Sequence, residues 1–202
     1  MTQTKPTPPS ALTERTADHV KTKLSSEGSG HDWWHTYRVW KMAQRIGQGE
    51  GADLLVAELT ALLHDIADWK AHGGDSTVGP QSARGWLVSL GVDQIVVEHV
   101  CQIIADISFK GAGVEQPVLS LEGQVVQDAD RLDAIGAIGI ARAFAYGGAK
   151  GRLIHDPELK PTEHRTAEDY LKSGGTTINH FYEKLLLLKD RMNTVFMLGV
   201  VC

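Results

Sequence analysis

The sequence predicts a single all-α domain. Apolar residues recur at spacings of three and four along most of the chain, and the breaks between these stretches are short and marked by glycine. No stretch alternates apolar and polar residues as a half-buried strand would. At 202 residues the chain can bury a sizeable core. It contains no internal repeat and no linker that would divide it.

The elements follow in order. Residues 1–13 are polar and proline-rich, without an apolar leader, and are expected to be a flexible lead-in; the domain proper is expected over residues 14–194. The first helical pattern covers 11–27 and stops at Gly28–Gly30, after which Ser29 or Asp32 can cap the next helix. From Trp33 to Gln48, the residues His35, Val39, Met42, Ala43 and Ile46 share one face, so His35 points inward. Residues 52–67 are apolar nearly all round, which places that helix in the core with His64 and Asp65 near its end. Two helices over 79–90 and 93–107 are separated by Gly91, and 108–113 form a turn. Two more are expected over 118–131 and 133–146, then a loop over 147–160, then a final helix over 176–193.

Composition narrows the function. The net charge of −5 lacks the broad basic balance of a double-stranded nucleic-acid binder. A small anionic substrate is still compatible, because a few local cations and a metal can hold phosphate whatever the net charge. No apolar run approaches the length of a membrane-spanning helix. The two cysteines, Cys101 and Cys202, cannot build a disulfide framework or a thiolate zinc site; Cys101 lies in an apolar helical stretch and is expected to be a buried free thiol. The expected compartment is the cytoplasm.

The chemistry concentrates in His35, the pair His64–Asp65, and Asp130 in the phrase Asp128-Ala129-Asp130-Arg131-Leu132. A carboxylate inside the apolar setting Leu62-Leu63-His64-Asp65-Ile66 is costly unless something cationic compensates it. Taken alone, the pair is better read as a hydrogen-bonded His–Asp couple without metal. Inward-facing His35 and Asp130 turn the balance toward two imidazoles and two carboxylates around one divalent ion. Such a set suits Mn²⁺, Mg²⁺, Fe²⁺, Ni²⁺, Co²⁺ or Zn²⁺ and leaves positions for water and a phosphoryl oxygen.

The phrases from His31 to Val39, from Leu62 to Lys70 and from Asp128 to Asp133, with Ile107-Ser108-Phe109-Lys110-Gly111 and the run from Asn179 to Leu185, resemble the HD-domain metal-dependent phosphohydrolase superfamily. The likeness covers about residues 15–193 and is closest to the small YedJ/YpgQ-like hydrolases. It implies an all-helical fold with His35, His64, Asp65 and Asp130 as ligands. It also implies hydrolysis of phosphate esters or anhydrides, with nucleotides as substrates, by attack of metal-bound water. His35 is preferred over His31 because the first histidine of that pattern is followed four residues later by an apolar residue, here Val39. His31 is then expected to cap or line the start of its helix.

Asp68 lies three residues beyond Asp65 and is, with Asp65, the catalytic candidate: it would orient or deprotonate the attacking water. Oxygen-using relatives of the superfamily carry lysine there, so an aspartate favours hydrolysis. Lys110, Arg38, Lys70 and Arg131 are candidate phosphate contacts, with Lys110 foremost because its glycine-flanked turn also offers amides to an anion. His99, on a helix of apolar residues, reads first as a satisfied core histidine and otherwise as a candidate donor behind the ligands or leaving-group acid. Trp33, Trp34, Trp69 and Phe109 flank the expected pocket, either as packing or as a stacking surface for a base. His180, Glu183 and Lys184 are expected to form a network at its rim.

The apolar, uncharged stretch 195–202 departs from the resemblance, which continues with a charged amphipathic helix; it is expected to be a sticky, exposed tail. A metal- and nucleotide-binding regulatory module without turnover is the alternative function. Oligomeric state is not legible.

Overall fold

The computed structural model describes residues 9–25, 28, 30–67, 72–172 and 174–201. Ten α-helices follow one another among them: α1 Pro9–Lys23, α2 Trp33–Glu50, α3 Leu54–Leu63, α4 Val78–Ser89, α5 Gln94–Asp106, α6 Leu121–Asp133, α7 Gly136–Ala149, α8 Ala167–Leu171, α9 Thr177–Glu183 and α10 Val195–Val201. Two short 3₁₀ turns, Leu185–Leu187 and Lys189–Arg191, lie between α9 and α10. There is no strand among the described residues, so the all-α reading holds. None of their helices is long and apolar enough to cross a membrane.

Helix α3 organises the packing. Its residues Leu59, Leu62 and Leu63 are fully buried, and it touches α1, α2, α5 and α6. Each such leucine contributes roughly 1.5–3 kcal/mol of transfer free energy. Asp53 caps its start by accepting from Leu55 N and Val56 N. The α-helical pattern stops at Leu63, short of the expected 67, because the last turn tightens: Ile66 N donates to the Leu63 carbonyl, three residues back. His64 and Asp65 sit in that tightened turn, whose backbone the helix core holds in place.

Helix α2 shows the predicted stripe. His35, Val39, Ala43 and Ile46 are all fully buried, so the imidazole lies on the core face of its helix. Asp32 is the cap, accepting from His35 N at 2.9 Å; Ser29 lies outside the described residues. Gly51 closes the helix in the left-handed region, φ 74°, where a side chain would be strained.

Three departures from the sequence reading have local causes. The first helix begins at Pro9, and Leu12 and Thr13 are buried, so the lead-in reading does not extend over them. The expected helix 176–193 breaks at Lys184, whose backbone is non-helical (φ −142°, ψ −62°). The break lets Leu185 and Leu188 both bury beside Phe109 while Leu186 stays in solvent. The residues of 195–201 are not an exposed tail but helix α10, which packs on α2. Met197 is fully buried, Phe196 N donates to Glu50 Oε1 at 2.6 Å, and Gly49 leaves the space that the Phe196 ring takes: a Cβ there would lie 2.7 Å from it.

Candidate metal centre

Three segments deliver four side chains to one point. Helix α2 brings His35, the turn after α3 brings His64 and Asp65, and α6 brings Asp130. Asp65 Oδ2 lies 3.4 Å from His35 Nε2 and 3.4 Å from His64 Nε2. Asp130 Oδ1 lies 3.5 Å from His35 Nε2 and 3.9 Å from His64 Nε2. Ligand atoms of His35, His64 and Asp130 all fall within 4.8 Å of one another.

The rings are oriented from behind. His64 Nδ1 is 2.8 Å from the Ala61 carbonyl oxygen, and His35 Nδ1 is 2.7 Å from Asp133 Oδ2. Both partners only accept, so Nδ1 carries the proton in each ring and each Nε2 presents a lone pair. Those Nε2 atoms are buried and have no hydrogen-bond partner among the described residues. Two buried lone pairs aimed at the same point as two carboxylates are costly as an end state, whereas a cation satisfies all of them. The residues therefore fit a divalent ion with nitrogen and oxygen ligands. Burial would push both carboxyls up, but the neighbouring imidazoles of His64 and His35 prevail and hold Asp65 well below, and Asp130 below, the ordinary carboxylate range. His35 shifts upward: burial would lower it, but the neighbouring carboxylates of Asp133 and Asp65 outweigh that.

The centre opens into two adjoining spaces. A cleft of about 90 Å³ holds His64, Asp65 and Asp130 with Phe109 and Lys110 on its wall. Beside it lies a cavity of about 570 Å³ lined by Arg142, Tyr146, Lys150, Arg152, His180 and Lys184, among others. His31, Ala134, Arg142 and Lys184 line both. Among the described residues on the larger wall the only acidic side chain is Glu183, which is buried, accepts from Thr162 N and lies 3.4 Å from His164 Nε2.

The other expected site residues divide. Lys110 lines the cleft. Arg38 is committed elsewhere: its Nε and Nη2 donate to Asp133 at 2.5 and 3.0 Å. Arg131 does not reach the site; it is buried on the far side of α6 and donates to the Arg191 carbonyl, because its position on the helix faces the 3₁₀ segment. His99 is also remote, with Nε2 2.9 Å from Ser120 Oγ and 3.6 Å from Glu122 Oε2. Asp68, Trp69 and Lys70 lie outside the described residues. His31 lines both spaces and leaves capping to Asp32. Trp33 packs against the core, and Trp34 projects into solvent. Cys101 is a buried free thiol.

Sequence reasoning missed Asp133 and Arg142, and gave Lys184 only a rim role. Asp133 had a signal, since it follows Asp130 by three residues and shares its helix face. Arg142 had none: it enters through α7, and its Nε donates to Gly30 O, 112 residues away.

A helical domain whose interior aims two ring nitrogens and two carboxylates at one point is a histidine–aspartate candidate metal protein. The HD domain family matches residues 33–135, a span that includes all four candidate ligands. The uncharacterized protein YpgQ of Bacillus subtilis (strain 168) is 42% identical over 176 residues, 87% of this chain and 78% of that protein. The chain belongs to the HD domain family. A crystal structure of a Lactobacillus plantarum protein superposes with a TM-score of 0.83 at 42% identity, covering 93% of this chain and 86% of that one. That of an HD-superfamily hydrolase from Bacillus thuringiensis gives 0.68 at 43%, covering 96% and 89%. YpgQ in complex with ADP gives 0.65 at 34%, covering 94% and 87%.

Proposed function

We propose that the protein is a cytoplasmic, metal-dependent phosphohydrolase that acts on a small phosphorylated molecule, with a nucleotide as substrate and a phosphomonoester or pyrophosphate bond as the bond cut. The observation that carries the proposal is the pair of orphaned Nε2 atoms beside Asp65 and Asp130, at the mouth of a cation-lined cavity. When bound there, a divalent ion supplies Lewis acidity and a lowered pKa for water. His35, His64, Asp65 and Asp130 would hold it.

The chain's own groups provide the rest. Lys110 and Lys184 line the cleft beside His64, Asp65 and Asp130 and can donate to phosphoryl oxygens; Arg142 stands where the cleft meets the larger cavity. That cavity is large enough for a nucleoside, with Tyr146 and Tyr170 on its wall. Asp68, three residues beyond Asp65 in sequence, is proposed to hold the attacking water and take its proton. The ADP complex of the YpgQ relative supports a nucleotide as the ligand class. A buried free thiol at Cys101 fits a reducing compartment.

The test is phosphate and pyrophosphate release from a nucleotide panel with each divalent metal, alongside elemental analysis, for the wild type and Asp65→Ala. Release that depends on metal and is lost with Asp65 supports the reading. Full activity in Asp65→Ala would remove Asp65 from the mechanism. A nucleotide that raises the melting temperature yet survives every metal would instead support the regulatory module.

A further inference from the structure

We propose that Asp133 is a positioning residue, which fixes His35 as a nitrogen ligand and holds Arg142 at the junction of the cleft and the larger cavity. The inference rests on the reading of His35 and its neighbours as a metal centre.

Asp133 ends helix α6, and its side chain is nearly buried. Its Oδ2 is 2.7 Å from His35 Nδ1. A carboxylate accepts and does not donate, so this contact selects the tautomer with the proton on Nδ1 and the lone pair on Nε2. His35 is fully buried, and no solvent can supply a substitute acceptor. Without Asp133 the ring is free to carry its proton on Nε2, and that nitrogen then cannot bind a cation.

The carboxylate is itself held from two sides. Arg38 grips it with Nε at 2.5 Å and Nη2 at 3.0 Å, and Arg142 Nη1 lies 3.0 Å from Oδ2. Arg142 is tied a second time, through Nε to Gly30 O at 2.7 Å. One carboxylate thus joins α2, α6 and α7, and joins a candidate ligand to a guanidinium that lines both spaces. Second-sphere acceptors of this kind set ring orientation and ligand basicity.

A purely structural ion-pair cluster would look similar, so the test needs a readout that such a role would not move. Co²⁺ binding, followed by its visible absorption, is compared for the wild type and Asp133→Asn. Their melting temperatures are measured in chelator. The asparagine can turn its amide NH₂ toward either His35 or Arg142, which spoils one contact or the other. Affinity for Co²⁺ is expected to fall about 10- to 100-fold. In the metal-free wild type, long-range ¹H–¹⁵N spectra are expected to show His35 protonated at Nδ1. That measurement needs no variant and stands even where Asp133→Asn fails to fold.

A wild type that takes up no Co²⁺ overturns the metal reading, and the role of Asp133 with it. A wild type that binds Co²⁺ no more tightly than Asp133→Asn overturns the role of Asp133 alone. A neutral His35 ring that carries its proton on Nε2 alone in the metal-free wild type does the same.

Discussion

Asp128 Oδ2 accepts from both the backbone amide of Thr194, at 2.8 Å, and its hydroxyl, at 2.9 Å. Asn193 adds its amide at 2.9 and 3.0 Å to the two carboxylate oxygens, and its side-chain Nδ2 at 2.8 Å. The first aspartate of the Asp128-Ala129-Asp130 phrase is therefore the anchor of the segment entering α10, and the second belongs to the candidate metal centre. Asp128→Ala is expected to cost about 3 kcal/mol, because it strands several buried donors at once. In a domain of this size that lowers the melting temperature by about 6–12 °C. Metal content should not change. Asp130→Ala should show the reverse pattern, in thermal melts paired with elemental analysis.

Metal binding should stabilise the fold. An ion that binds only the folded chain adds about 2.7 kcal/mol at 100 times its Kd, or roughly 5–10 °C in melting temperature. Thermal melts with and without a chelator check this. The increment should vanish in His64→Ala, because that change removes one of the two orphaned nitrogens.

Lys184 should matter to substrate and Arg131 should not. Lys184→Ala removes a cation from the wall shared by both spaces. A charged hydrogen bond to phosphate is lost, so KM is expected to rise about tenfold or more. Arg131→Met should leave nucleotide affinity unchanged and alter only stability, since its guanidinium donates to the Arg191 carbonyl instead. Nucleotide titration calorimetry of both variants distinguishes the two roles.

Asp68→Asn should separate chemistry from binding. A residue that takes the proton of the attacking water is worth about 10²–10⁴ in rate. The expected result is a fall of that order in kcat with metal content retained. Unchanged kcat would remove Asp68 from the reaction.

Glu122 gives the fold a pH-dependent element away from the site. Burial would push its carboxyl up, but the bond from Asp53 N at 3.0 Å and the nearby His99 hold it below its usual value. A carboxyl depressed in the folded state stabilises at pH values above its unfolded pKa, and that stabilisation is lost as pH falls through the folded value. Glu122→Gln should therefore cost about 1 kcal/mol near neutrality. The difference from the wild type should shrink to nothing once the pH drops below that depressed folded value. Denaturant titrations across the acid range check this.

The all-α class and the inward face of His35 follow from periodicity alone. The stripe His35, Val39, Ala43 and Ile46 is a property of one helix, and its burial follows wherever that helix packs. His64 and Asp65 were legible for a related reason, since a nearly all-apolar helix can only be a core helix. Tertiary structure decided the partners of the charged side chains. Arg38, Arg131 and Arg142 are similar in type, yet one clamps Asp133, one is buried against the 3₁₀ segment, and one stands at the mouth of the site. Long flexible side chains take the direction that their neighbours leave them, and those neighbours come from distant parts of the chain. The same holds for α10: its apolar residues read as an exposed tail in one dimension, and only the groove at Gly49 and the donors' meeting with Asp128 bring Phe196 and Met197 onto the core.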